Sequence, residues 1–434
     1  SVPRPVSAAL PADTIRMRLV LEIAEGKHLA ADSLGELSGL AVDRAGTVYA
    51  SDFSASKVWV FDRAGRLLPG IGRKGEGPGE FQAPTGLGIG PDGRLYVRDL
   101  VRVTRFTTDP ASGRLTRYET SFRGPALADW RSMRATRFDE SGHLFYPAFN
   151  SFRTTGVAGH FLRYSARGEF VDSLRVPAFP NAPAGTAWVR TGPNGGRMLG
   201  GLNHVPFAAV PVWDVTARGT LIIGSGESYL LRETDFQGNV KQTYAGPAGL
   251  DRIPVQQRRD SLAALRARLD SVPVPLDRVE GMPPEVRNLK VPDAFPAYMA
   301  AYGAMDGTIW VRRWPAGEPR RTVFDVFTPD GRLRNTVVLP RAIAIDPPPV
   351  LSLTDIVAVA VDPETGANIV LRFAPTSQPP LDGAAVSRPY RSRRSSISDR
   401  MNPNAGQPPE RIERSNQARA RTVSPRTRYQ LPTP

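Results

Sequence analysis

The residues of this 434-residue chain best placed to do chemistry are acids and arginines at the ends of short apolar runs. Asp52 closes Val48-Tyr-Ala-Ser-Asp52, and Arg98 with Asp99 closes Leu95-Tyr-Val-Arg-Asp99. Arg312, Arg313 and Trp314 close Ile309-Trp-Val-Arg-Arg-Trp314, and Glu227 follows Leu221-Ile-Ile-Gly224. Such a set makes a mixed-charge rim with one aromatic ring. It can hold the polar part of a ligand by ion pairs and cover the apolar part. Asp52 and Asp99 also have a plainer reading, in which they cap the following turn by accepting backbone N–H bonds.

Other chemistries find less in the chain. There is no Cys, which excludes thiol catalysis, iron–sulfur clusters, zinc ribbons and disulfides. The four histidines, His28, His143, His160 and His204, are not paired at metal-ligand spacing. His204, in a stretch rich in Pro, Gly and Asn, is retained as a pocket residue. Gly70-Ile-Gly-Arg-Lys-Gly75 fits G-x-G-x-x-G, but Glu76-Gly-Pro-Gly79 follows it. A dinucleotide loop must open a helix, and that continuation does not, so the run reads as a connection. Walker, G-x-S-x-G, EF-hand and HExxH patterns are absent from the sequence. No cofactor is predicted and no metal ligand is assigned. A divalent cation in a central channel stays open as an alternative.

The elements that must position these residues announce themselves as a repeat. Leu40-Ala-Val-Asp-Arg-Ala-Gly46-Thr-Val-Tyr-Ala-Ser-Asp52 is followed by Leu87-Gly-Ile-Gly-Pro-Asp-Gly93-Arg-Leu-Tyr-Val-Arg-Asp99, and weaker copies centre on Gly142, Gly219 and Gly307. Each is an apolar run, a polar turn ending in Gly and a second apolar run, which is a β-hairpin signal. A second hairpin trails each one, turning at Gly65, Gly113, Gly168, Gly238 and Gly331. Two successive hairpins make a four-stranded antiparallel blade. A further unit is short by one strand, with Arg341–Ile345, Ile356–Val361 and Asn368–Phe373 as its three. Thr14–Ile23 supplies the fourth and closes the ring, which removes exposed sheet edges. The expected fold is all-β, a six-bladed β-propeller of four-stranded antiparallel blades closed by an N-terminal strand. The 40 Gly and 42 Pro agree with so turn-rich a chain.

Two insertions stretch the repeat. Pro177–Ala209 precedes the fourth blade, and a helical insertion at about 250–298 precedes the fifth. Within the latter, Val255, Leu262, Leu265, Leu269 and Val272 fall near helical spacing between Pro254 and Pro273, which predicts one amphipathic helix packed on the ring. The domain reading is residues 1–13 as an extension, 14–375 as the propeller and 376–434 as a disordered tail. The tail is rich in Arg, Pro and Ser and carries +7 of the formal +14 charge. It lacks the aromatic interleaving that stacks bases, so nucleic acid is disfavoured as a partner. Assembly through the tail is kept as an alternative. No stretch is long and apolar enough for a transmembrane helix.

The segments VDRAGTVYASDF, KVWVFDRAGRLL and IGRKGEGPGEFQAP, with NHVPF, DAFPAY and LPRAIAI further along, resemble bacterial NHL-repeat six-bladed β-propellers. The resemblance spans about Thr14 to Pro375. It implies a periplasmic or extracellular protein, although no signal peptide is visible in the chain itself. It also brings two enzymatic relatives into view. Glu76-Gly-Pro is reminiscent of the metal-site glutamate of gluconolactonase-like propellers, and the amidating lyases share the ring but need several zinc-binding histidines. The expectation is a non-enzymatic binding or scaffold module, with a protein or small-molecule ligand at one face of the ring. The rim residues are Asp52, Arg98, Asp99, His204, Glu227, Arg312, Arg313 and Trp314. The alternatives are a metal-dependent hydrolase or lyase of those two types, and a subunit held in a larger assembly by its tail.

Overall fold

The computed structural model describes residues 13–24, 34–100, 102–124, 136–148, 160–175, 187–191, 197–201, 206–209, 212–246, 250–270, 279–280, 291–315 and 320–377. His28, His204, residues 1–12 and the Arg-rich tail beyond residue 377 lie outside the described residues.

The chain opens with strand β1 (Asp13–Ile23) and then enters a series of meanders. The first sheet is β2 (Leu37–Val42), β3 (Val48–Asp52), β4 (Lys57–Phe61) and β5 (Leu67–Ile71), paired in that order. The second is β6 (Gly86–Ile89), β7 (Leu95–Asp99), β8 (Arg102–Thr107) and β9 (Arg117–Arg123). The third is β10 (Arg137–Phe138), β11 (Leu144–Ala148), β12 (His160–Tyr164) and β13 (Phe170–Arg175). After β14 (Ala187–Thr191) and β15 (Arg197–Gly201) comes the fourth sheet, β16 (Val212–Val215), β17 (Leu221–Gly224), β18 (Leu230–Thr234) and β19 (Val240–Ala245). Helix α1 (Val255–Asp270) and β20 (Val279–Glu280) lead to the fifth meander, β21 (Tyr298–Gly303), β22 (Ile309–Arg313), β23 (Thr322–Phe327) and β24 (Leu333–Leu339). The chain's last described strands are β25 (Ile356–Val361) and β26 (Asn368–Pro375). The result is an all-β, propeller-like arrangement of four-stranded blades with one helix among the described residues.

The turns form where the repeat puts glycine. All ten hairpin glycines predicted from the repeat, and Gly366 in the β25–β26 turn, have φ between 69° and 89°. That left-handed region admits Gly at no steric cost. Each sheet packs its two faces on its neighbours. Tyr49, Val58 and Val60 meet Leu87, Leu95 and Val97 of the second sheet. Tyr96 and Val103 meet Phe138, Leu144 and Tyr146 of the third, and Phe145 and Phe161 meet Val215, Leu221 and Ile223 of the fourth. Ile222 and Leu231 then meet Tyr298 and Ile309, and Trp310 and Phe324 meet Ile356 and Leu371. The series returns to its start, because Val357, Val359 and Val370 pack on Leu40, Val48 and Trp59. Inner strands are therefore buried on both faces, as β3 and β7 are throughout, while the outermost strands β9 and β13 have no fully buried residue.

β1 makes the closure. Asp13–Arg16 pair in parallel with Asn335–Val338 of β24, and Met17–Ile23 pair antiparallel with Val370–Pro375 of β26. One strand thus joins the fifth meander to β26 and β25 in a seven-stranded sheet. The expected strand Arg341–Ile345 is not regular. Its place beside β25 is taken by two separate contacts, Ala344 N–H donating to Val359 O and the Val350–Val357 bridge. Pro347, Pro348 and Pro349 lie between them and have no N–H to give a ladder.

The insertions hold a feature absent from the sequence reading. β14 pairs with both β15 and β20, so the two insertions share a three-stranded sheet. Helix α1 begins after Pro254 as predicted, yet none of its side chains described at residues 255–264 is buried, and Val255 is 57% exposed. What fixes the start of the helix is polar: Ile253 N–H donates to Asp293 O, and Arg258 pairs with the Asp293 carboxylate. No described helix is long and apolar enough to cross a membrane.

Candidate functional site

In an antiparallel meander the second and fourth strands end on the same edge, so the connections to the next sheet start there too. Asp52, Asp99 and Arg313 end β3, β7 and β22, while Glu227 and Trp314 follow β17 and β22. The predicted rim residues that are described therefore share one edge, distributed over four sheets.

Asp52 and Asp99 are buried and fully engaged there. The Asp52 carboxylate accepts from Trp59 Nε1 and Gly35 N at 2.9 Å, from Ser54 Oγ at 2.8 Å and from Ala55 N at 3.0 Å. Asp99 accepts from Ala83 N at 2.7 Å and Gln82 N at 3.0 Å, and Arg102 Nη2 stands 3.5 Å away. Both acids fasten the main chain that leads into their sheets. The glycine-rich run between those sheets folds on itself: Gly75 N–H donates to Phe81 O, and Phe81 N–H to Arg73 O. No helix follows it. Glu76 is bonded there to the Gln82 side chain.

Arg313 forms a bidentate pair with Asp325, both bonds at 2.7 Å. Asp325, with 0% exposure, also accepts from Thr336 Oγ1 at 2.9 Å and from the Tyr229 hydroxyl. Burial, and then the Asp325 charge, hold the Tyr229 phenol well above its ordinary value. Trp314 completes a cluster of rings. It stacks on Phe295 at 6.3 Å and 21°, and Phe207 meets both edge-on at 5.3 and 6.3 Å. Phe207 has φ 61°, an uncommon setting for a side chain of this size. It comes from the connection before the fourth sheet and Phe295 from the one before the fifth, so this edge assembles three separate segments.

Arg98 and Arg312 occupy the same place in the repeat, five residues after Gly93 and Gly307. Arg312 is buried and donates through Nη2 to Ile343 O at 2.7 Å, while its Nη1 has no partner. Burial lowers its pKa. Arg98 is 1% exposed, and among the described residues neither Nη atom has a partner. Its guanidinium carbon lies 4.7 Å from the centre of the Tyr146 ring, a cation–π distance. Burial lowers its pKa to about 10, against the opposing influence of the Tyr146 and Tyr164 phenols.

Among the described residues no group of three or more His, Asp or Glu could hold a metal ion. His143 Nδ1 bonds Asp139 Oδ2 at 2.9 Å beside a hairpin turn, and His160 Nδ1 bonds Ser173 Oγ at 3.2 Å.

Several of these residues escaped the sequence reading. Phe207 and Phe295 lie in the quoted NHVPF and DAFPAY segments, but neither they nor Asp325 were assigned a role, because their roles depend on contacts across connections. Arg372 did carry one: it interrupts the apolar strand Asn368-Ile-Val-Leu-Arg-Phe373. It is buried, donates to both Asp355 oxygens at 2.8 and 2.6 Å, and reaches Gly46 O in the first sheet at 2.9 Å.

No family model and no curated protein matches the chain. Solved structures similar to it include virginiamycin B lyase from Staphylococcus aureus, at 11% identity and a TM-score of 0.39, covering 82% of this chain and 99% of that one. A member of the DUF4221 family from Bacteroides vulgatus is similar at 10% identity and a TM-score of 0.44, covering 82% and 97%. A PQQ-bound aldose sugar dehydrogenase from Streptomyces coelicolor is similar at 14% and 0.36, covering 84% and 99%. No property of these proteins is carried over to this chain.

Proposed function

We propose that this chain is a non-enzymatic binding module of the NHL-like, six-bladed β-propeller type, acting outside the cytoplasm. Its ligand meets the edge that bears the connections between sheets. The count of six is supported by the series of apolar interfaces that leads from the first sheet back to it. One observation carries the functional reading. Asp52 and Asp99 on that edge, and Asp325 within β23, spend their oxygens on the protein itself, while among the described residues guanidinium N–H groups of Arg98 and Arg312 have no partner and Trp314 stacks on Phe295 at the edge. General acid–base work needs a carboxylate or imidazole within reach of substrate. Unspent donors beside rings are the equipment of recognition, since they orient a ligand and cover it.

The test is a thermal-shift screen of small organic acids, sugars and aromatic compounds on the wild-type chain and on Trp314→Ala. A compound that raises the wild-type midpoint and leaves Trp314→Ala unmoved is the expected result. Turnover of a lactone or ester panel that depends on added divalent cation would overturn the reading.

A further inference from the structure

We propose that Arg98 anchors a carboxylate-binding site between the second and third sheets. This deepens the binding-module reading and rests on it.

Each of the other deeply buried arginines has at least one guanidinium hydrogen bond among the described residues. Arg372 has Asp355 and a carbonyl, and Arg312 has a carbonyl. Arg98 is as buried as these, yet among the described residues both Nη atoms are unbonded. Across the interface the Tyr146 hydroxyl is likewise buried and unbonded. So is Thr136 Oγ1, on a residue whose Cβ would lie 3.5 Å from a Cβ at Gly88, two residues along from the partner of Arg98 in β6. The groups that bear on the Arg98 charge are the phenols Tyr146 and Tyr164, and neither is an anion at neutral pH. An uncompensated buried cation costs several kcal/mol. Donors gathered at one interface with no anionic partner among the described residues describe the complement of an anion.

The setting selects the kind of anion. A guanidinium offers two parallel N–H groups that match a carboxylate. One buried positive charge balances one negative charge, whereas a phosphate near −2 would leave charge in excess. Val103 lies opposite Arg98 in β8, and Tyr146 and Tyr164 bear on its charge; all three belong to one apolar cluster with Phe138 and Leu144, which suits an apolar body behind the carboxylate. Arg98 adjoins Asp99 at the connection edge, so this ligand enters from the side already assigned to binding.

The experiment is calorimetric titration of the full chain with sodium benzoate at fixed ionic strength, with chloride and inorganic phosphate as comparison arms. Saturable benzoate binding is expected, about 10- to 100-fold weaker in Arg98→Met, as for loss of a charge-assisted bond. Tyr146→Phe should weaken it to a smaller extent. Without ligand, Arg98→Met should unfold at the wild-type temperature or above, because it removes an unpaired charge. Should that variant not fold, Arg98→Lys keeps the charge but not the fork, and it too should bind benzoate more weakly. No saturable benzoate binding by the wild-type chain, undiminished binding by the Arg98 variants, or tighter binding of phosphate would each overturn the proposal. The two readings fail separately. A compound that needs Trp314 and ignores Arg98 leaves the module standing and removes this site. Cation-dependent turnover together with Arg98-dependent benzoate binding does the reverse.

Discussion

Asp52 illustrates how a residue with the look of a functional acid serves the fold. Its carboxylate joins three segments, at Gly35, Ser54–Ala55 and Trp59, all within hydrogen-bond distance. Removing it leaves buried donors unsatisfied, each costing about 1–3 kcal/mol. Asp52→Ala is therefore expected to lose about 2–4 kcal/mol in urea unfolding followed by tryptophan fluorescence. Glu233 gives a pH signature. Burial pushes its pKa up, but bonds from Arg218, Thr220 and Tyr244 outweigh burial and hold it below its ordinary 4.5. A depressed carboxyl contributes stability that is present above the unfolded pKa and is lost as pH falls through the folded one. Glu233→Gln should accordingly flatten part of the acid limb of a stability–pH curve below about pH 4.5, measured by urea midpoints. A curve of unchanged shape would remove Glu233 from that limb.

At the scale of elements, the turns and strands test the repeat. Gly65 has φ +83°, and a Cβ there would lie 2.6 Å from Leu21 Cδ1 of β1. Gly65→Ala meets both a steric and a packing penalty, and a loss of at least about 1 kcal/mol is expected in thermal unfolding. Gly93 has a comparable φ but open space around it, so Gly93→Ala should be milder. The hairpins were legible because a left-handed turn is a local demand that glycine meets visibly. The closure by β1 was legible because an orphan strand and an incomplete blade sit at opposite ends of one repeat. Long-range pairing without a pattern was not. β14 and β20 meet through Val189–Glu280 and Arg190–Val279, in stretches with no alternation to mark them. The rim was legible as an edge, since every second strand ends there. Which of its groups are spent was not, because Asp325 and Tyr146 reach Arg313 and Arg98 from other strands. The position of Arg98 could be read; its lack of a partner could not.

For the whole molecule, the joint between the first and last strands governs cooperativity. Deleting residues 1–23 uncovers the edges of β24 and β26 and the apolar surface that Met17, Leu21 and Ile23 cover. That variant is expected to self-associate in size-exclusion chromatography. A peptide of residues 13–24 added in trans should bind it and restore the monomer. Arg372→Met removes the tie from β26 to Gly46 and strands Asp355, so it should lower the unfolding midpoint. The same joint imposes a waiting time on the nascent chain. β1 is made near the beginning, but its partner β26 is complete only at Pro375. At about 5–20 residues per second, the ribosome leaves the Met17–Ile23 part of that amphipathic strand without its partner for roughly 20–70 s. Until then the growing ring has an open seam, and a chaperone able to shield one strand for that interval would govern the yield of folded protein.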